Sequence, residues 1–291
     1  KEEMNIPVMH DDQHGTAIIS GAALINACEI IGKDISKVKI VVNGAGAAAM
    51  SCTAMYISVG ASKENIVMLD SKGVIRKDRE NLDGMKAQYA TDRDIRTLAD
   101  AVKDSDVFIG LSAADVMSAD MLLSMAPNPI VLAMANPNPE IAYDLAMATR
   151  NDIIMGTGRS DYPNQVNNVL GFPYIFRGAL DVRATSINEE MKIAAVRAIA
   201  DLAKQPVPEE VNQAYNTNNL KFSEEYIIPK PTDPRLITEV SMAVAKAAIA
   251  SGVAKTVIED WDQYSDALRK RLGKDDAIMR NLTMAAKRDP K

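Results

Sequence analysis

Acidic and imidazole side chains are concentrated in one short segment near the start of the chain, residues 10–17. The segment contains Asp11 and Asp12, flanked by His10 and His14. Adjacent carboxylates can divide their work, one binding a hard divalent cation such as Mg²⁺ or Mn²⁺ and the other orienting a catalytic group. The same acids can instead cap a helix, because carboxylates are stabilised near a helix N-terminus. The two histidines lack a zinc-binding spacing, so the choice lies between these two roles.

A glycine-rich turn follows the first apolar run of the chain. Residues 38–42 lead into Gly44 and Gly46, and Asp70 ends the next apolar run. Gly44 permits a tight turn, and Gly46 has no side chain to keep a pyrophosphate away from the amides that begin the following helix. A carboxylate at the position of Asp70 can accept hydrogen bonds from an adenosine ribose. We therefore expect a dinucleotide to contact Gly44, Gly46, Ala47, Ala48, Ala49 and Asp70.

Two asparagine-rich turns form the third candidate feature. Residues 135–140 follow the fourth predicted strand, and residues 156–168 follow the fifth. The prolines of the first turn stiffen it, so that Asn136 is presented rigidly at the end of the strand. The neutral amides of the second turn can both donate and accept, which suits a carboxylate or a nicotinamide carboxamide. Each segment can also be an ordinary hydrogen-bonded turn.

The elements that must position these residues alternate between strand and helix. This alternation predicts an α/β fold with a parallel, doubly wound Rossmann-type sheet, which binds ligands beyond the carboxyl ends of its strands. The predicted strands are Val38–Val42, Ile66–Leu69, Val107–Ile109, Ile130–Met134 and Ile153–Met155. The predicted helices are Thr16–Ile31, Ala47–Ser58, Ile95–Val102, Ala114–Met125, Glu140–Thr149, and then a helical extension of Val169–Leu180, Glu189–Lys204, Pro234–Ser251 and Trp261–Leu272, with a surface segment over 206–234.

Composition narrows the class of protein. The chain has 291 residues, 47% of them hydrophobic, and a formal charge of −6. This balance provides no general basic surface for nucleic acid or an anionic membrane, so we expect neither partner. Cys28 and Cys52 fall in apolar helical patterns, which favours buried thiols and a reducing cytoplasmic compartment. We find no apolar stretch long enough to cross a bilayer and no signal peptide.

Four segments of the sequence resemble the cofactor-binding domain of malic enzymes, in particular the short bacterial type. They are residues 7–17, 44–49, 135–140 and 158–168, and the first and last are specific. Malic enzymes oxidise L-malate to oxaloacetate by hydride transfer to NAD(P)⁺, decarboxylate it and release pyruvate. The resemblance therefore implies NAD(P) and a divalent cation, Mg²⁺ or Mn²⁺, as cofactors.

The resemblance also implies roles for individual residues. Asp12 matches the metal-binding aspartate of the family, and Asp11 matches the acid paired with the catalytic lysine. Asn136 and Asn168 match asparagines that contact substrate, and Asn167 matches one near the nicotinamide. The family's catalytic tyrosine and lysine and two further acidic metal ligands belong to an N-terminal substrate domain that is absent from this sequence. We therefore expect a fragment that binds nucleotide and turns over malate negligibly.

The domain boundaries expected from these patterns are a lead-in over residues 1–15, the NAD(P)-binding domain over 16–260 and a helical tail over 261–291. The tail resembles the junction that precedes a phosphotransacetylase-like domain in some bacterial malic enzymes. The long apolar helices after residue 188 can support a homo-oligomer.

The choice of nicotinamide cofactor stays open. Asp70 favours NAD, because it would accept from a free ribose hydroxyl and repel a 2′-phosphate. Lys72 and Arg76 follow closely and can neutralise that phosphate, and the resemblance favours NADP; a solvated basic turn is the alternative. Two other functions remain open: an amino-acid or shikimate-type dehydrogenase, and a non-catalytic nucleotide-sensing module.

Overall fold

The computed structural model describes residue 4 and residues 6–273. Its centre is a six-stranded sheet with the order β3-β2-β1-β4-β5-β6. All neighbouring strands are parallel except β3, which pairs antiparallel with β2 at one edge. The strands are β1 (Ile40–Asn43), β2 (Ile66–Asp70), β3 (Gly73–Val74), β4 (Val107–Gly110), β5 (Ile130–Ala133) and β6 (Ile154–Thr157). The predicted doubly wound α/β fold is confirmed.

Helices cover both faces of the sheet, so the strands are buried on both sides. Successive residues of β1 illustrate this, since Ile40 and Val42 belong to one hydrophobic cluster and Val41 to the other. The helices are α1 (Asp11–Ile30), α2 (Ala47–Ser58), α3 (Gly84–Ala87), α4 (Leu98–Val102), α5 (Ala119–Leu123), α6 (Tyr143–Thr149), α7 (Phe172–Asp181), α8 (Glu189–Lys204), α9 (Glu209–Ala214) and α10 (Leu236–Ala250), and residues 261–273 are also helical.

Helix α1 is largely buried and packs against α2 and α8. Most of its residues are inaccessible, including the polar Ser20 and Asn26. The Asn26 amide donates to the carbonyl oxygens of Ala200 and Ile227, at 2.8 Å each, and the Ser20 hydroxyl accepts from Tyr56 at 2.8 Å. These bonds provide acceptors for the N–H groups of Asn26 and the hydroxyl of Tyr56, which would otherwise be costly to bury, while the side-chain oxygen of Asn26 has no partner among the described residues. The helix is thereby held in one position relative to its neighbours.

Several predicted boundaries were wrong. Helix α1 begins at Asp11, five residues before the predicted Thr16, so both aspartates lie in its first turn. Glu140 does not begin a helix, because α6 starts at Tyr143. The surface segment 206–234 contains the helix α9, and the strand β3 was not predicted. The part of the tail beyond residue 273 lies outside the described residues.

Neither Cys28 nor Cys52 forms a disulfide, and both are buried, as predicted. Burial raises the pKa of each thiol to about 12. None of the described helices combines the length and the hydropathy that a membrane-spanning segment requires.

A buried asparagine fastens the outer edge of the sheet. Asn164 is 2% exposed, and its side-chain amide donates to the carbonyl oxygens of Met155 on β6, at 3.0 Å, and Glu224, at 2.7 Å. Its side-chain oxygen accepts from the backbone N–H of Ile227 at 2.9 Å. Asn164 has a positive φ of 56°, a conformation that asparagine tolerates better than most residues. One side chain thus joins β6 to the segment before α10.

Replacing Asn164 by alanine should lower the free energy of unfolding by about 3 kcal/mol, because two carbonyls and an N–H lose their partner in the interior. Urea denaturation measures this change. Asn216→Ala is the matched control, since Asn216 has a similar φ of 52° but is exposed, and it should cost about 1 kcal/mol. Equal losses in the two variants would show that Asn164 contributes only its backbone conformation.

Candidate functional site

A cavity of about 670 Å³ lies at the carboxyl ends of β1, β2 and β4. Its wall includes the glycine turn after β1, Asp70 at the end of β2 and Leu111 and Ser112 after β4. Gly44 has a φ of +137°, and a Cβ at this position would lie 2.5 Å from the carbonyl oxygen of Leu111. Only glycine combines this conformation with so close an approach. The predicted glycine turn therefore lines a cavity at the carboxyl edge of the sheet, where such folds bind ligands.

The first turn of α2 faces outward beside this turn. Gly46 is its N-cap residue, and no side chain caps the helix. Gly46 and Ala47 are exposed, and a Cβ on Gly46 would meet no atom within 4 Å. Ala48 is partly exposed, whereas Ala49 is 1% exposed. The unpaired N–H groups of a helix N-terminus bind anions, so this end of α2 can hold a phosphate group.

The Asp70 carboxylate in the cavity wall accepts several hydrogen bonds. It accepts two hydrogen bonds from Arg79, at 3.0 and 3.1 Å, one from Lys86 at 3.0 Å and one from the backbone N–H of Lys72 at 2.9 Å. Burial opposes ionisation, but the bonds from Arg79, Lys86 and the Lys72 amide outweigh it and lower the pKa of Asp70 to about 2. Asp70 is therefore an anion already surrounded by donors, an arrangement that the prediction of a ribose acceptor did not include.

The two basic residues predicted to contact a 2′-phosphate, Lys72 and Arg76, lie in different surroundings. Lys72 is exposed and lines a smaller cavity of about 260 Å³ next to Asp70. Arg76 forms ion pairs with Asp78 at 2.9 Å and Asp94 at 3.2 Å, so its guanidinium is committed to other partners. Lys86, which sequence reasoning missed, lines both cavities. The sequence separation of Lys86 from Asp70 does not indicate a contact, because only the fold of residues 79–86 brings the two side chains together.

A second group of polar side chains surrounds the start of α1. The Asn168 amide donates to the Asp11 carboxylate at 3.2 Å, and the Thr16 hydroxyl donates to the Asn168 side-chain oxygen at 3.2 Å. The other carboxylate oxygen, Oδ1 of Asp11, is buried and has no hydrogen-bond partner among the described residues. A Cβ on Gly15 would lie 2.4 Å from that oxygen. Asp11 is thus oriented on one side and unsatisfied on the other, which is the environment of a carboxylate that awaits a donor.

Asp12, the predicted metal ligand, is exposed in the first turn of α1. Its carboxylate is of the kind that Mg²⁺ and Mn²⁺ prefer. Over the described residues, no group of three or more histidine, cysteine or acidic side chains is placed to hold a metal ion. Asp12 can therefore serve as one ligand, and the remaining ligands would have to come from elsewhere.

The asparagines after β5 and β6 lie at the same edge of the sheet. Asn136 packs against the turn after β6, because a Cβ on Gly158 would lie 2.9 Å from its side-chain oxygen. The Asn167 side-chain oxygen accepts from the backbone N–H of Val169 at 3.0 Å and so begins a 3₁₀ turn at Asn168–Leu170. The structure thus brings Asn168 to Asp11 and places Asn136 beside the neighbouring loop.

Glu140 is a further residue of this edge that sequence reasoning missed. It is fully buried, and its carboxylate accepts from the backbone N–H groups of Ser112 at 3.0 Å and Ala135 at 3.1 Å. A Cβ on Gly110 would lie 2.2 Å from the carboxyl carbon, so glycine is required opposite it. Burial raises the pKa of Glu140, and these amide bonds partly oppose the shift. The carboxylate joins the loop after β4, which lines the cavity, to the loop that carries Asn136.

Another cavity, of about 530 Å³, is lined by residues 151–155 and by the end of α1. It lies at the amino end of β6, away from the candidate residues described above. Doubly wound sheets bind their ligands at the carboxyl ends of the strands. The 670 Å³ cavity at the ends of β1, β2 and β4, which we call the Asp70 cavity, is therefore the better candidate for nucleotide.

Comparison with known proteins identifies the family. The sequence model of the protein family described as malic enzyme, NAD binding domain, matches residues 13–221. The chain is 58% identical over 254 residues to the NADP-dependent malic enzyme of Halomonas elongata, covering 87% of this chain and 60% of that relative. It is 54% identical to the NADP-dependent malic enzyme of Escherichia coli, covering 100% of this chain and 39% of the relative.

A solved structure leads to the same family. The crystal structure of malic enzyme from Entamoeba histolytica superposes with a TM-score of 0.82 at 34% identity, over 96% of this chain and 57% of that one. The chain therefore spans 39–60% of the length of these relatives. The chain belongs to the malic enzyme family and corresponds to its NAD-binding domain.

Proposed function

We propose that the protein is the nucleotide-binding part of an NADP-dependent malic enzyme, which converts L-malate to pyruvate and CO2 while reducing NADP⁺. The observation that carries the proposal is the position of two sites along one edge of the sheet. The glycine turn follows β1 and Asp70 ends β2, whereas Asn136 and Asn168 follow β5 and β6, with Asp11 bonded to Asn168. A dinucleotide that spans this edge would bring its nicotinamide toward the polar cluster.

The nucleotide is held mainly by backbone groups. The open amides at the start of α2 bind the diphosphate, and the absence of a side chain at Gly46 allows it to approach them. Asn167 begins the 3₁₀ turn that carries Asn168, and its amide N–H groups would contact the nicotinamide carboxamide when the cofactor is bound. The bound nicotinamide supplies the hydride acceptor. The chain's own contribution is to orient the ring next to the substrate asparagines.

Asp11 acts on the other side of the substrate. The Asn168 amide donates one hydrogen bond to Oδ2 of Asp11 and one to its backbone carbonyl, which orients the carboxylate so that the unsatisfied Oδ1 can accept a proton or an ammonium donor. Asn136 and Asn168 bind the carboxylate and hydroxyl of malate through amide hydrogen bonds. A divalent ion held in part by Asp12 would polarise the C2 oxygen of malate and stabilise the charge that develops as CO2 leaves.

The complete reaction requires groups that the described residues do not contain. Asp11 lacks a cationic partner in hydrogen-bonding distance there, and Asp12 lacks companion metal ligands. We propose that an N-terminal substrate domain supplies these groups. Residues 16–260 then form the nucleotide-binding unit, between a lead-in (1–15) and a tail (261–291). On its own, this chain binds nucleotide without turning over malate. A homo-oligomer, a cytoplasmic location and a following phosphotransacetylase-like domain stay predictions.

Cofactor choice follows from the charges around Asp70. Its carboxylate oxygens are occupied by Arg79 and Lys86, so it competes poorly for a ribose 2′-hydroxyl. Lys86 and the exposed Lys72 add positive charge beside it, sufficient to accept a 2′-phosphate. We therefore propose NADP as the preferred cofactor.

Gly46→Ala should weaken binding of NADP⁺ by about tenfold or more, because a methyl group would stand between the diphosphate and the amides of α2. The fold should be unaffected, since no atom lies within 4 Å of that Cβ. Isothermal titration calorimetry measures the affinity. Gly273→Ala, also in open space, is the control and should bind as the unmodified protein does. Unchanged affinity in Gly46→Ala would remove the glycine turn from the site.

Lys86→Ala should weaken binding of NADP⁺ by about tenfold and change binding of NAD⁺ little, because only NADP⁺ carries the 2′-phosphate. Arg76→Ala should change neither affinity, since Arg76 is paired with Asp78 and Asp94. Titrations with both nucleotides separate these effects. Loss of NADP⁺ binding in Arg76→Ala alone would reverse the assignment.

Asp11→Asn and Asp12→Asn should each lower malate-dependent reduction of NADP⁺ at least a hundredfold in the full-length protein, while leaving NADP⁺ affinity within about twofold. Steady-state kinetics with Mn²⁺ and calorimetric binding provide the two measurements. Full turnover in both variants would remove the two aspartates from the chemistry and favour a metal-independent dehydrogenase, whereas no malate turnover by the unmodified full-length protein would favour a nucleotide sensor. Malate oxidation by this chain alone would contradict the requirement for another domain.

A further inference from the structure

A third cavity, of about 400 Å³, lies beyond the outer edge of the sheet. One wall is the loop after β6, residues 160–163, and the other is formed by residues 215–230, the segment between α9 and α10. We call it the Tyr226 cavity, after the tyrosine in its wall. It shares no lining residue with the Asp70 cavity, so neither the nucleotide nor Asp70 accounts for it.

The Tyr226 cavity contains a lysine that forms no ion pair. Lys230 is partly buried, and within the described part of the chain no carboxylate oxygen lies within 4 Å of its ammonium group. Its nearest recorded partner is the ring of Tyr215, whose centroid is 4.9 Å from Nζ. Burial lowers the pKa of Lys230, and the charge of Glu225 partly opposes the shift. A cation held against an aromatic wall in this way has room for an anionic partner.

A buried hydroxyl provides the second, independent observation. Tyr226 is 1% exposed, yet its hydroxyl has no partner in hydrogen-bonding geometry among the described residues. Burial and the charge of Asp233 raise the pKa of Tyr226 to about 12, and Arg235 and the backbone N–H of Lys230, which approaches the hydroxyl oxygen, oppose the shift; the hydroxyl keeps its proton and has no acceptor for it among the described residues. An unsatisfied buried donor is uncommon in proteins and calls for a partner.

The remaining charges in the wall do not cancel these donors. Asp161 is neutralised by Arg159, which donates to both of its oxygens at 2.6 and 2.9 Å. Lys221 and Glu225 are both exposed at the mouth. The ammonium group of Lys230 and the phenolic O–H of Tyr226 are thus donors in this wall without an acceptor among the described residues, and the hydroxyls of Ser160, Thr217 and Ser223 and the amide of Asn219 also line the cavity.

We propose that the Tyr226 cavity binds a small oxyanion, a carboxylate or a phosphate, through Lys230 and Tyr226. The oxyanion accepts from both groups, which pairs the lysine and satisfies the hydroxyl in one step. Both donors belong to the segment before α10, and the loop after β6 forms the opposite wall; Asn164 joins these two parts of the chain. Because that loop continues into Gly158, against which Asn136 packs, the site is linked to the substrate edge by a short stretch of chain.

The test is a calorimetric titration of the protein with inorganic phosphate and, separately, with succinate. Lys230→Met should weaken binding of the preferred anion at least tenfold, and Tyr226→Phe, which removes only the hydroxyl, by about three- to tenfold. Lys246→Met is the matched control and should bind normally, since Lys246 lies over Trp261 at the same 4.9 Å but outside the cavity. The tighter of the two anions identifies the source of the oxyanion.

Thermal melts of each variant confirm that the fold is retained, and Lys230→Met alone decides the question if Tyr226→Phe is destabilised. Binding of both anions at unchanged affinity in the two variants would overturn the proposal, as would the absence of saturable binding of either anion to the unmodified protein below about 10 mM. The titration involves neither malate nor nucleotide, so its failure leaves the proposed malic enzyme function untouched, and the reverse also holds.

Discussion

The buried carboxylate of Glu140 connects the loops that leave the sheet at its ligand edge. Each of its oxygens accepts from a different loop, one through the Ser112 amide after β4 and one through the Ala135 amide after β5. Ser112 in turn accepts from the Asn43 side chain at the end of β1, at 2.7 Å. The wall of the nucleotide cavity and the turn that carries Asn136 are therefore parts of one hydrogen-bonded unit. A site assembled from several loops gains its geometry from such shared partners.

Helix α1 performs the corresponding role for the acidic pair. It is buried along most of its length, and the Asn26 amide N–H groups bond to carbonyls of two distant segments. Its first turn emerges at the ligand edge, where Asp11 meets Asn168. A rigid strut carries a catalytic carboxylate more accurately than a loop does, because packing fixes its axis and register. The two aspartates thus owe their position to the core of the domain.

The sequence was most informative where local pattern and tertiary environment agree. Helix α8 was predicted with its observed bounds, because its apolar spacing is regular and Asn188 caps its start. The five parallel strands were found from their apolar runs, with ends shifted by one or two residues. The start of α1 was missed because its first turn is polar and resembles a loop. No local pattern distinguishes a helix that begins with two aspartates from an acidic turn.

The residues that the sequence could not reveal act through distant partners. Glu140 is isolated among prolines and asparagines in the sequence, and its role depends on amides that fold next to it. Among the basic residues after Asp70, only the folded turn shows that Arg79 and Lys86 reach its carboxylate while Arg76 does not. The types of residue at the site were predictable from the sequence, whereas their pairings required the three-dimensional structure.

A crystal structure of the protein with bound NADP⁺ tests the central claim most directly. We expect the diphosphate to lie on the amides of Ala47, Ala48 and Ala49, and the nicotinamide ring to lie beside Asn167, on the side of the sheet edge that carries Asp11 and Asp12. A glycine turn that stays empty while nucleotide binds elsewhere, or a nicotinamide ring on the rim opposite Asp12, would contradict it.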